Sequence, residues 1–183
     1  MNVLDYSKRI TDEIQEILAA MNPEQAEKMA TEILSAKRVF LAGAGRSLLM
    51  LKAFAMRLMH AGFTAYVAGE TVTPAITEED MLVVGTGSGE TATLRVVVEK
   101  AKKVGAKIGV LSTKKNSSIA QMADYALIIP ASINHLEIGK SWQPGGNSFE
   151  QSLLIILDAM LIKLAEAKGV DISKGLNLHA NLE

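Results

Sequence analysis

Ser88-Gly89-Glu90-Thr91, with Thr86 just before it, is the stretch of this chain best suited to hold an anion. Three hydroxyls, on Thr86, Ser88 and Thr91, and three glycines, Gly85, Gly87 and Gly89, fall within seven residues. The run follows a short apolar segment, Met81-Leu82-Val83-Val84, and precedes a helix-length one. A turn from strand to helix leaves the N–H groups of the first helical turn without intrahelical partners, and hydroxyls can converge beside them on a phosphate monoester. The glycines permit a tight turn and a close approach of ligand to backbone. The competing reading is that Ser88 only caps the helix, with Thr91 on its first turn.

A second glycine-rich turn, Gly43-Ala44-Gly45-Arg46-Ser47, follows Val39-Phe40-Leu41-Ala42. It contains part of a dinucleotide fingerprint, and Glu70 stands where a ribose-binding acid belongs. Leu48, however, occupies the third glycine position, where helix and strand should approach closely. Arg46 as a charge-assisted fork and Ser47 as a hydroxyl contact suit a small anionic ligand better. The plain alternative for Arg46 is a solvated charge at a helix start. With no Gly-Lys-[Ser/Thr] run, a nucleoside triphosphate loop is not expected.

The histidines are His60, His135 and His179, and no pair has the spacing of a helical metal site, so no metal is expected. His60 ends a helix, where an imidazolium is favoured by the helix dipole, and His135 falls in the longest irregular stretch. Glu150 begins the last long helix, just after Gln143-Pro144-Gly145-Gly146-Asn147. Its residue type and place alone make it a helix-dipole carboxylate.

The elements that must carry these groups alternate. Two helices open the chain. The first carries Val3, Tyr6, Ile10, Ile14, Ile17, Leu18 and Met21 on one face. The second is capped by Asn22, has Pro23 at its first position and Gln25 where a capping box needs it, and buries Ala26, Met29, Ala30, Ile33 and Leu34. From residue 38, five short apolar runs (39–42, 64–68, 81–84, 107–111 and 125–129) are separated by helical segments, one of them from about Glu90 to Val104. Continuous apolar strands are buried on both faces, which predicts one parallel sheet with helices on both sides. In such a sheet ligands bind beyond the carboxyl ends of the strands, where both glycine-rich turns lie.

Composition sets the outer bounds. The 183 residues predict one domain, residues 1–183. Nineteen basic against 20 acidic residues argue against a broad basic face for nucleic acid. An apolar fraction of 49% excludes disorder. The absence of cysteine excludes a disulfide framework and a thiolate nucleophile, and it fits a cytoplasmic protein. No apolar run approaches membrane-spanning length and the N-terminus lacks a signal-peptide pattern, so no membrane partner is expected.

Taken together, these motifs resemble the sugar isomerase (SIS) domain family and, within it, the 6-phospho-3-hexuloisomerase branch of the ribulose monophosphate pathway, over essentially the whole chain. The resemblance rests on Gly43–Ser47, Phe54-Ala55-Met56-Arg57-Leu58-Met59-His60, Gly69-Glu70-Thr71-Val72-Thr73-Pro74 and Gly85–Thr91. It also takes in Gln143-Pro144, Phe149-Glu150-Gln151 and the terminal His179-Ala180-Asn181-Leu182-Glu183. It implies a flavodoxin-like five-stranded fold in a homotetramer, and metal-independent, cofactor-free interconversion of D-arabino-hex-3-ulose 6-phosphate and fructose 6-phosphate through an enediol. Functional coupling to 3-hexulose-6-phosphate synthase goes with that role. Position by position, Thr86, Ser88 and Thr91 would hold the phosphate, Arg46 and Ser47 would contact phosphate or sugar, Glu150 would be the base and His179 a proton shuttle. His60 and Glu70 are motif positions without a fixed role.

Two departures stand out: Leu48 where the family usually continues Arg-Ser-Gly, and Gly145 where Pro-Met-Gly is usual. Three other readings stay open at this level: an aldose–ketose phosphosugar isomerase on the same fold, a non-catalytic phosphosugar sensor, and a nicotinamide-dependent oxidoreductase resting on Glu70. For an isomerase, the chemistry requires a carboxylate that is partly buried, with its pKa raised.

Overall fold

The computed structural model describes residues 1–133 and 141–171. In chain order the elements are helices α1 (Val3–Ala19) and α2 (Pro23–Ser35), strand β1 (Val39–Gly43), α3 (Gly45–His60), β2 (Ala65–Val67) and β3 (Met81–Gly85). They continue with α4 (Ala92–Val104), β4 (Lys107–Ser112), α5 (Ser118–Met122), β5 (Tyr125–Ile128) and α6 (Asn147–Ala167). The five strands form one fully parallel sheet in the order β2-β1-β3-β4-β5. This is the flavodoxin-like arrangement that the family resemblance implies.

Strand parity divides the core. Val39, Leu41, Met81 and Val83 face a layer made by α1, α2, α3 and α6, with Phe54, Leu58, Phe149 and Leu157 at its centre. Their alternates Phe40, Ala42, Leu82 and Val84 face α4 and α5 through Leu94, Val98 and Ile119. Both sides are dry, which is why the strands are apolar at every position rather than every second one. The chain leaves β1 toward β2 at one edge, then returns to β3 and proceeds to β5 at the other. Right-handed crossovers in two directions place α3 and α4 on opposite faces and leave a crevice between β1 and β3.

Two glycines set how deeply α3 sits at that crevice. Gly43 and Gly85 are register partners. A Cβ on either would come within 2.9 Å of Leu51 Cδ1, and one on Gly43 would also meet the backbone of Leu48 at 3.0 Å. The close approach of helix and strand is therefore supplied by Gly43, which frees position 48 for a leucine.

Several local expectations change. Asn22 caps α2 by accepting from the Glu24 N–H at 2.8 Å, with Pro23 first in the helix, as read from the sequence. Gln25 does not complete a capping box. Its Oε1 accepts from the Ile128 N–H at 3.1 Å, covering a donor on the edge strand β5. The capping box belongs to α1, where Asn2 and Asp5 bond each other's backbone. Leu34 is 41% exposed, because α2 buries only Met29, Ala30 and Ile33. Helix α4 begins at Ala92 rather than Glu90, because Thr91 has extended backbone (φ −64°, ψ 113°) and serves as the N-cap.

Substituting Gln25 with leucine keeps the side-chain bulk but removes the acceptor for Ile128. The expected loss is about 1 kcal/mol of folding free energy, the scale of leaving a partly buried N–H unpaired, measured as a shift in urea unfolding.

Candidate functional site

Three helices, α3, α4 and α6, begin around the crevice between β1 and β3. Among the described residues, the N-cap positions of these three, Ala44, Thr91 and Gly146, make no side-chain capping bond. Asn2, Asn22 and Ser117 do cap α1, α2 and α5. In α4 the first intrahelical donor is Arg95, to Thr91 O at 3.0 Å, so the N–H groups of Ala92, Thr93 and Leu94 face out of the helix start. In α3, Gly45, Arg46 and Ser47 precede the first such bond, from Leu48 to Ala44.

The turn between β3 and α4 is bound from beneath. The carbonyl of Gly87 accepts from Thr113 N at 3.2 Å, Thr113 Oγ1 at 2.8 Å and Ser112 Oγ at 3.3 Å, while that of Gly89 accepts from Ile119 N at 3.1 Å. Thr86 is 3% exposed; its Oγ1 accepts from the Gly89 N–H at 3.2 Å and lies 3.4 Å from Thr91 Oγ1. Ser88 Oγ accepts from the Glu90 N–H at 3.2 Å. Ser88 therefore stabilises the turn rather than capping α4. With its carbonyls drawn toward the β4–α5 side, the turn has the form of an anion cradle.

Glu150 opens α6 beside this cradle. A Cβ on Gly87 would stand 3.3 Å from the Phe149 ring, so the first turn of α6 packs directly on the loop. The Glu150 side chain is 14% exposed and lies 3.3 Å from Arg46 Nε, and Arg46 Nη1 also donates to Asn147 Oδ1. Burial raises the Glu150 carboxyl above its ordinary value, and the Arg46 charge partly opposes that rise. The partly buried carboxylate expected from the sequence is present. Asn147 was not singled out in the sequence, because its contact spans 101 residues.

The segment before α6 is held by α1. Trp142 lies 6.0 Å, ring to ring, from Tyr6 and has the Arg9 guanidinium 4.5 Å from its ring centre, while Gln143 Nε2 donates to Glu13 Oε2 at 3.1 Å. Tyr6, Arg9 and Glu13 recur at helical spacing, yet only Tyr6 stood out, as part of an apolar face. That mixed polar and aromatic stripe was the available signal.

The structure thus brings Arg46, Ser47, Thr86, Ser88, Thr91 and Glu150 to one end of the sheet. Ser47 is 8% exposed in the first turn of α3. Glu70 lies one strand away, after β2, paired with Lys52 Nζ at 2.5 Å. His60 is buried at the far end of α3, about 22 Å along the helix from Gly45, and within one chain it does not approach the cradle. His135, His179 and the rest of the terminal motif lie outside the described residues. Among the described residues no three His, Asp or Glu side chains group as a metal site would require, and no helix is long and apolar enough to cross a membrane.

Comparison with known proteins agrees with this geometry. Residues 32–157 match the family model of the SIS domain. The chain is 42% identical to the 3-hexulose-6-phosphate isomerase of Bacillus subtilis, over 100% of both chains. It is also 42% identical to that of Mycobacterium gastri, over 95% of this chain and 88% of the relative. A crystal structure of a Methanococcus jannaschii protein, described as inferring a 3-hexulose-6-phosphate isomerase function, superposes with a TM-score of 0.85 at 27% identity, covering 98% of this chain and 99% of that one.

Carboxyl-detected NMR titration tests the electrostatics of Glu150 directly. Its midpoint should lie above that of a free glutamate, and Arg46→Gln should move it further up, because the opposing positive charge is gone while burial remains. A midpoint at or below the ordinary glutamate value would contradict the burial-dominated site.

Proposed function

Because this chain belongs to the SIS domain family, we propose that it is a phosphosugar isomerase interconverting D-arabino-hex-3-ulose 6-phosphate and fructose 6-phosphate. The observation that carries the reading is a partly buried carboxylate, Glu150, adjoining a cradle of hydroxyls and helix N–H groups, where desolvation raises its pKa. Two relatives that are 42% identical and carry the same activity name support the choice of substrate.

The phosphate ester is chemically idle in this reaction; its binding energy aligns the reacting carbons. Thr86, Ser88, Thr91, Ser47 and the N–H groups opening α3 and α4 receive it. Glu150 takes the proton from C2 of the 3-ulose, and the electron pair forms the C2–C3 double bond of an enediol as the C3 carbonyl oxygen gains a proton. Collapse of the enediol moves the carbonyl to C2, and Glu150 returns its proton to C3, so no atom is gained or lost. A base on this duty must be ionised when substrate arrives yet basic enough to remove a carbon-bound proton, which a raised carboxyl pKa serves. Arg46, already between Glu150 and the α3 start, steadies the base and the oxyanion that develops. His179 is the candidate shuttle for the proton exchanged between the two oxygens.

The proposal includes a metal-independent reaction in a cytoplasmic homotetramer working beside 3-hexulose-6-phosphate synthase. Apolar side chains exposed on α1 and α3, among them Val3, Leu4, Leu49 and Met56, support association. Gly145 removes a side chain before α6, and Leu48 adds one after the first glycine turn; these two positions tune the fit of the sugar.

Glu150→Gln should bind fructose 6-phosphate within a fewfold of the parent while its turnover falls by about 10²–10⁴-fold, the usual contribution of a positioned base. A coupled assay from the 3-ulose phosphate, run with and without chelator, reads both turnover and metal dependence. Near-normal turnover in the variant would remove Glu150 from the mechanism, and binding without turnover in the parent chain would make the protein a sensor.

A further inference from the structure

Glu90 poses an electrostatic puzzle. It is the only charged residue between Gly85 and Thr91, and a carboxylate facing the cradle would repel a phosphate dianion. The side chain is turned toward the neighbouring turn instead. Glu90 Oε1 accepts from the Ser118 N–H at 2.8 Å and Oε2 from the Ser118 hydroxyl at 2.6 Å. These two bonds hold its carboxyl below the usual glutamate range, so it keeps its charge there at neutral pH.

Ser118 is the first residue of α5, and the same few residues grip the cradle's backbone. Ile119 donates to Gly89 O, and Ser117 Oγ stands 2.0 Å from where a Cβ on Gly89 would be, so the two turns are pressed together with no space for a side chain between them. Gly89, at φ of +68°, is the hinge of the cradle and has no side chain with which to hold itself. Glu90 supplies the side-chain anchor immediately after that hinge. One residue later, Thr91 is the N-cap of the helix whose free N–H groups open onto the cradle.

We propose that Glu90 is a positioning residue for the phosphate cradle: by gripping Ser118 it fixes the Ser88–Thr91 turn in the conformation that presents hydroxyls and α4 N–H groups to the ester. The proposal rests on reading that turn as the phosphate site. Its physical content is preorganisation, since a turn held before the ligand arrives spends less binding energy on ordering. Glu150 is held by Arg46 and by α6, which meets the loop at Gly87, a residue fastened through its carbonyl to Ser112 and Thr113 rather than through Glu90, so losing the Glu90 anchor weakens phosphate binding and leaves the chemical step largely intact. The opposite sign follows if Glu90 acts only through its charge, because removing a negative group near a dianion tightens binding.

The test compares the full-length parent with Glu90→Ala, Glu90→Gln, Ser118→Ala and Thr91→Val, using inorganic phosphate and fructose 6-phosphate in calorimetry alongside steady-state kinetics. Glu90→Ala should weaken both ligands and raise KM by about tenfold with kcat within about threefold of the parent, on the scale of losing charge-assisted hydrogen bonds. Glu90→Gln retains an acceptor for the Ser118 N–H and should restore binding to within about threefold. Ser118→Ala, which removes one bond from the other side, should weaken binding in the same direction, and it decides the matter if Glu90→Ala fails to fold. Unchanged or tighter binding in Glu90→Ala, or in Ser118→Ala where that variant decides, overturns the assignment. If Thr91→Val also leaves both ligands unaffected, the phosphate reading itself falls and takes this inference with it. If Thr91→Val weakens binding and Glu90→Ala does not, only the role of Glu90 falls.

Discussion

The site depends on the direction in which one short stretch of backbone points. Between β3 and α4, the carbonyl oxygens of Gly87 and Gly89 are engaged by Ser112, Thr113 and Ile119 on the sheet's other neighbouring turn. With these two carbonyls occupied below, and the Gly89 and Glu90 N–H groups donating to the Thr86 and Ser88 hydroxyl oxygens, the turn offers its hydroxyls and the free N–H groups that open α4. A parallel sheet strengthens this, because every strand ends at the same edge and every following helix begins there with its positive end toward the ligand. Side-chain caps at α3, α4 and α6 would satisfy those donors and close the site, and the cap positions hold Ala44, Thr91 and Gly146 instead. Local helix stability is given up where binding needs open donors.

Against this positive edge, Glu150 is held between opposed influences. Burial drives its carboxyl toward the neutral form, and Arg46 draws it back toward the ionised one. Neither influence originates in α6 alone. Arg46 arrives from the turn after β1, and the approach to α6 is fastened by Trp142 and Gln143 to α1. The first helix of the chain therefore bears on the last through a contact spanning 130 residues.

That geometry also explains what could be read from the sequence. The five strands, the two glycine turns, Asn22 with Pro23 and the place of Glu150 were legible because each is written in neighbouring residues: an apolar run, a breaker, a cap. Gln25 misled for the same reason. Its local spacing fits a capping box, but a partly buried edge-strand donor 103 residues away takes its amide oxygen instead. The start of α4 lies two residues beyond the one that the residue pattern predicts, because the pattern does not register the extended backbone of Thr91. Asn147 and the Glu90–Ser118 contact depend on partners that only the folded sheet brings near, and no periodicity announces them. His60 shares a recognisable motif with its neighbours, yet a helix of 16 residues carries it from the ligand edge to the opposite end of the sheet.

Leu51 lies over Gly43 and Gly85 at once, with one methyl 2.9 Å from where either would carry a Cβ. An alanine at Gly43 would also press on the Leu48 backbone and so push on the start of α3 that carries Arg46 and Ser47, one at Gly85 would displace only the Leu51 and Leu153 side chains, and shortening Leu51 would open a void beneath the helix. The three positions are thus coupled through one side chain. The depth at which α3 meets the sheet, and so the height of its ligand edge, is set by a methyl group about two turns along the helix from that edge.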